Sequence, residues 1–238
     1  MTYQMQQVLQ IVQRGLDLLF PPRCAGCKKG GSVLCAKCLA MIQPLRPPFC
    51  LCCSGQLTAD GVCRRCYYRP LGMSGLRAAS TYQEPLRSCV HALKYTGNTR
   101  LAGPLGVLLA QTYMAHRLQA DMIVPVPLHS ERQKQRGYNQ ARLLAEVCVR
   151  KLGLPISEAL TRIRATPAQV HLAARERQQN MMGAFACNRE FAGGALHGRR
   201  IVVVDDVCTT GATLEACAAA LFAAGASSVW GLVLARPA

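Results

Sequence analysis

The run from Ile201 to Thr213 reads IVVVDDVCTTGAT. Consecutive β-formers give way to two carboxylates, Asp205 and Asp206. Thr209, Thr210, Gly211, Ala212 and Thr213 then lead into a helical pattern. Ligands of open α/β sheets sit at the carboxyl ends of strands. Backbone N–H groups at a helix start point outward and attract phosphate. Gly211 lets the backbone approach such a group closely, and the threonine hydroxyls add donors. The two aspartates, one step before this cradle, are suited to sugar hydroxyls, directly or through Mg²⁺. The run has neither the lysine of a Walker loop nor the G-x-G-x-x-G of a dinucleotide fold.

A second chemistry lies upstream. Of 14 cysteines, eight form C-x-x-C pairs: Cys24/Cys27, Cys35/Cys38, Cys50/Cys53 and Cys63/Cys66. Each pair can place two thiolates on one metal, and two pairs complete a closed tetrahedral zinc site. Two structural Zn²⁺ ions are therefore expected, with no open position for catalysis. Pairing first with second and third with fourth is favoured; an interleaved arrangement also satisfies the spacing. Cys52, beside Cys53, could compete as a ligand. No thioredoxin-like βαβ pattern surrounds the pairs, which argues against redox use. The other cysteines read as small buried apolar residues.

These groups need elements to position them. Residues 3–20 show helical periodicity, ended by Pro21 and Pro22. Residues 21–70 are rich in Cys, Gly, Pro and basic residues and form a metal-dependent module. From 71 to 238 strands and helices alternate. Strands are expected at 76–82, 122–126, 201–204 and 229–234, and helices at 85–94, 101–118, 140–152 and 212–224. This alternation predicts an α/β domain with a mostly parallel sheet flanked by helices. Half of the 238 residues are apolar, enough for a sizeable core. The formal net charge of +16 exceeds what solubility needs and implies an anionic partner. No signal peptide or membrane span is legible, so a cytoplasmic location is expected.

The motifs occur together in a particular order: LDLLFPPRCAGC at 16–27, the cysteine pairs, ALKYTGN at 92–98 and PVPLH at 125–129. R-x-x-x-RGYNQ at 132–140, T-x-x-Q at 166–169, NMMGAF at 180–185 and the aspartate–threonine run follow. Over nearly the whole chain this resembles the ComF (competence protein F) family: an N-terminal double zinc ribbon on a type I phosphoribosyltransferase-like domain. The resemblance implies 5-phosphoribosyl-1-pyrophosphate (PRPP) or a nucleotide-like ligand, with Mg²⁺, at 205–213. It assigns Asp205 and Asp206 the catalytic positions. It implies a pyrophosphate loop at Pro127–Arg136, using His129, Arg132 and Arg136, and a phosphate role for Lys94, a residue that also suits a helix end. It makes residues 161–180, with Arg164, Thr166 and Gln169, a flexible loop over the ligand.

The family is implicated in natural transformation and use of imported DNA. On that basis single-stranded DNA is an expected partner, contacted by Arg64, Arg65 and Arg69, with DNA-uptake or recombination proteins as further possible partners. The alternative is an active phosphoribosyltransferase with an acceptor that the sequence does not reveal.

Overall fold

The computed structural model describes residues 21–164, 181, 183–191 and 194–237. The helix expected at 3–20, most of the flexible loop with Thr166 and Gln169, and Asn180 and Met182 of NMMGAF lie outside them.

The frame is a four-stranded, all-parallel sheet. Its strands are β1 (Gly75–Thr81), β2 (Met122–Pro125), β5 (Arg200–Val207) and β6 (Ser228–Arg236), in the order β1-β6-β5-β2. The central strands β5 and β6 pair in the register Val203↔Gly231 and Asp205↔Val233. Side chains alternate between the faces of a strand. Val202 and Val204 accordingly pack with Leu93, Leu105 and Leu144, from α3 (Leu86–Tyr95), α4 (Ala102–Ala115) and α6 (Gln140–Leu152). Ile201 and Val203 pack on the other face with Leu214 and Leu221 of α7 (Ala212–Ala223). Four valines and isoleucines in a row thus serve two cores, as buried parallel strands require.

Helices end where the sequence supplies a stop. In α6, Asn139 caps the N-terminus by accepting from the Ala141 N–H at 2.9 Å, and Gly153 closes the C-terminus at φ +68°. Strand β5 runs through Val207, so both aspartates stand on the sheet and not in the following loop. The polar stretch after residue 160 begins with a strand: β3 (Leu160–Arg162) pairs antiparallel with β4 (Phe185–Cys187). Pro127–Arg136, expected as a loop, contains the helix α5 (Ser130–Arg136), which Gly137 ends at φ +81°. The residues SERQKQR are mostly good helix formers, and glycine completes the turn.

The cysteine-rich module carries α1 (Ala36–Met41) and α2 (Arg64–Tyr68) and covers the outer edge of β1. Leu76 N–H donates to the Cys52 carbonyl at 2.8 Å, and Leu45 N–H donates to Ala79 at 2.9 Å. An edge that would expose unpaired backbone groups is thereby closed.

Candidate functional site

The alternation that builds two cores also divides the two aspartates. Asp206 follows Val202 and Val204 to the side of α3. There its Oδ1 meets Lys94 Nζ at 2.6 Å, with the carboxylate 3 % exposed and the lysine side chain 23 % exposed. Burial pulls the Lys94 ammonium down, but the Asp206 and Asp205 carboxylates outweigh it and hold it above its ordinary range. Asp206 Oδ2 is buried and accepts no hydrogen bond from the described residues, an arrangement that costs free energy unless a ligand or ion completes it. Asp205 accepts from the Asp206 N–H at 2.8 Å. Burial and then the neighbouring Asp206 charge push its carboxyl up to about 7, against the pull of Lys94 and Arg162.

These carboxylates form one wall of a cleft of about 910 Å³ at the carboxyl ends of β2 and β5. Lys94, Asp205, Asp206, Thr209 and Thr213 line it from one side, and Arg132 and Arg136 of α5 from another. Tyr82, Tyr95, Tyr138, Gln140 and Arg162 complete it. Arg136 lies over the Tyr95 ring, 5.5 Å from its centroid, and donates to Gln140. Arg162 of β3 stands 5.6 Å from the Phe185 ring centroid. Its guanidinium is pulled below its ordinary value by burial and then by Arg132. Dense positive charge opposite two carboxylates gives the cleft one end for anionic oxygens and one for hydroxyls or a cation.

Some expected site residues lie elsewhere. His129 is the N-cap of α5, its Nδ1 accepting from the Glu131 N–H at 3.4 Å, and it does not line the cleft. Thr210, Gly211 and Ala212 form the turn behind Thr209 and are likewise not among the lining residues. Gly211, at φ +83°, faces an arginine: a Cβ there would lie 2.7 Å from Arg65 Nη2. Arg164 is described but does not line the cleft. Arg65 and Arg69 both pair with Glu215, the former at 2.8 Å, while Arg64 is exposed. Sequence reasoning missed Tyr82, Gln140 and Arg162. For Gln140 and Tyr138 the signal was present in the RGYNQ motif; for Tyr82 and Arg162 there was none without the topology.

The cysteines assemble as two groups, Cys24/Cys27/Cys35/Cys38 and Cys50/Cys53/Cys63/Cys66, with all Sγ atoms of each group within 4.8 Å of one another. This is the sequential pairing. Cys27–Cys35, Cys50–Cys66 and Cys53–Cys63 are each 3.7 Å apart. Disulfide sulfurs would be about 2.0 Å apart. A tetrahedron with Zn–S of about 2.3 Å has an edge of about 3.8 Å, so both groups fit zinc. In the first group Cys24 accepts from the Cys35 N–H at 3.3 Å. Cys52 is exposed and outside both groups.

A parallel sheet with helices on both faces, two tetrathiolate clusters at one edge and a phosphate-type turn after the central strand define a phosphoribosyltransferase-type domain carrying a double zinc ribbon. Comparison with known proteins agrees: residues 15–67 match the double zinc ribbon domain and residues 138–237 the phosphoribosyl transferase domain. The chain belongs to the competence protein F family. It is 31% identical to competence protein F of Haemophilus influenzae over 225 residues, covering 88% of this chain and 96% of that protein. It is 41% identical to the DNA utilization protein YhgH of Salmonella typhimurium over 173 residues, 70% of this chain and 74% of that protein. It is 26% identical to competence protein ComFC of Bacillus subtilis over 213 residues, 85% of this chain and 84% of that protein.

Proposed function

We propose that this chain binds a phosphoribosyl ligand, PRPP with Mg²⁺, in the cleft and serves the uptake or utilization of DNA. The observation that carries the ligand reading is Asp206. A carboxylate held by Lys94 on one oxygen and, among the described residues, lacking a donor on the other suits a ribose hydroxyl or a cation-bound water. Asp205 and Asp206 would hold Mg²⁺, which would neutralise pyrophosphate oxygens. Thr209 and Thr213 would donate to the 5-phosphate, and Arg132 and Arg136 would grip the pyrophosphate with their planar forks of donors.

The DNA reading rests on the relatives' names and on charge. Single-stranded DNA is the proposed partner, and the net charge of +16 suits its backbone. Because Glu215 engages both Arg65 and Arg69, the trio contributes about one positive charge, and Arg64 becomes the principal DNA contact of the ribbon. The exposed Tyr67 and Tyr68 beside it offer faces on which bases can stack.

Calorimetry with PRPP and Mg²⁺ tests the first half. Asp206→Ala is expected to weaken binding at least about tenfold, equivalent to about 1.4 kcal/mol; equal affinity would place the ligand elsewhere. Fluorescence anisotropy with a labelled single strand tests the second. Affinity is expected to fall with salt by a log–log slope of about −0.7 per neutralised phosphate, and no binding at low salt would remove DNA as a partner. Pyrophosphate release in the presence of an acceptor would add transfer to binding.

A further inference from the structure

The second cysteine group stands against the back of the phosphate turn. Cys63 is the N-cap of the short helix α2, and Cys66 lies within it. Arg65 on this helix reaches far along the chain: its Nη2 donates to the Thr210 carbonyl at 2.7 Å and to Glu215 Oε1 at 2.8 Å. Arg69 donates to the other oxygen of Glu215. Glu215 lies in the first turn of α7, and Gly211 is the N-cap of that helix. A Cβ at Gly211 would lie 2.7 Å from Arg65 Nη2, so a side chain there would have to displace the guanidinium. Arg236, at the end of β6, donates to the Cys53 carbonyl and places its Nη2 3.5 Å from the Thr209 carbonyl. Arg65 of the ribbon thus engages the Thr210 carbonyl, and Arg236 of β6, itself bonded to the Cys53 carbonyl of the ribbon, stands at the Thr209 carbonyl.

In a trans peptide the carbonyl and the following N–H lie in one plane and point in opposite directions. Drawing the Thr210 carbonyl toward Arg65 therefore turns the Gly211 N–H away from the ribbon. The Thr209 carbonyl and Thr210 N–H are related in the same way. Arg65 also neutralises Glu215, whose charge would otherwise repel an anion at the start of α7.

We propose that Arg65 is a positioning residue: anchored by the second cysteine group, it orients the backbone N–H groups of the Thr209–Thr213 turn toward an anionic ligand. This rests on the reading of that turn as a phosphoribosyl cradle. The second cysteine group then governs ligand affinity, and the first does not.

The test uses the full-length, zinc-loaded protein in two measurements: amide order parameters of residues 209–213 by NMR relaxation without ligand, and calorimetry with PRPP and Mg²⁺. In Arg65→Ala, order parameters across the turn should fall from about 0.85 to below about 0.6, and affinity should fall at least about tenfold, with zinc content retained. Arg65→Lys keeps the charge and stem but loses the fork, and should fall between. Lys37→Ala, an exposed cation beside the first group, should behave as wild type. If Arg65→Ala does not fold, Arg65→Lys carries the test through its order parameters. Wild-type order parameters in both arginine variants would overturn the proposal. Absence of PRPP binding by the wild-type protein would overturn the cradle reading alone, because lowered order parameters in Arg65→Ala support the positioning role with or without ligand.

Discussion

Replacing Lys94 by methionine removes the cation from a pair whose other member is almost fully buried. Lys94 Nζ and Asp206 Oδ1 are 2.6 Å apart, and the carboxylate is 3 % exposed. Removing one partner of a buried pair typically costs about 3–5 kcal/mol, because the remaining charge is left uncompensated. The lysine retains some solvent contact, which places the expected loss near the lower end, about 3 kcal/mol. For a domain of this size each kcal/mol lowers Tm by roughly 2–4 °C, so Tm should drop by about 6–12 °C. The loss should also depend on pH. Without Lys94, Asp205 loses the larger of the two cationic pulls, from Lys94 and Arg162, that oppose burial and the Asp206 charge, so its carboxyl rises further. A carboxyl raised in the folded state binds more protons than the unfolded chain, so its contribution to stability declines as pH rises through that window. The variant should therefore lose most at pH 8 and least at pH 5. Urea unfolding of both proteins at the two pH values measures this. A loss below about 0.5 kcal/mol, or one equal at both pH values, would refute the argument that the buried pair organises the site.

Further tests follow from the same geometry. Asp205, pushed up to about 7 by burial and Asp206, must ionise to hold Mg²⁺; PRPP affinity in Mg²⁺ should rise as pH passes from 6 to 8, and calorimetry should find that dependence flattened in Asp205→Asn. Metal analysis of purified protein should give about two zinc ions per chain, and fewer than one would remove the tetrathiolate reading. Because the second group is bonded to the sheet through Cys52, Cys53 and Ser54, Cys63→Ser should lower the melting temperature of the whole domain and not only loosen the ribbon. A Cβ on Gly106 would lie 2.5 Å from Val147 Cβ, where α4 packs on α6, so Gly106→Ala should destabilise by about 1–3 kcal/mol through overpacking, measurable by urea titration.

The parts of the fold that repeat a period were legible in the sequence. Val202 and Val204 against Ile201 and Val203 mark a strand buried on both faces, and Asn139 with Gly153 brackets α6 to the residue. The cysteine spacing announced two tetrathiolate groups because C-x-x-C is a local geometry. What could not be read was set by distant pairing. Leu160–Arg162 forms a strand only because Phe185–Cys187 lies beside it, and Arg162 enters the cleft with it. Arg65 and Arg69 read as solvent-facing charges beside a zinc ligand. Their partner Glu215 lies far along the chain, so only the docking of the ribbon on α7 commits them. Gly211 was legible as a residue of close approach; that the approaching group is Arg65 was not.

The most direct measurement is a crystal structure of the full-length protein with PRPP and Mg²⁺. The 5-phosphate is expected on the Thr209–Thr213 turn, a sugar hydroxyl or Mg²⁺-bound water on Asp206 Oδ2, and the pyrophosphate toward Arg132 and Arg136. A ligand bound away from Asp206, with the Lys94–Asp206 pair and the turn unchanged and no density in the cleft, would contradict this expectation.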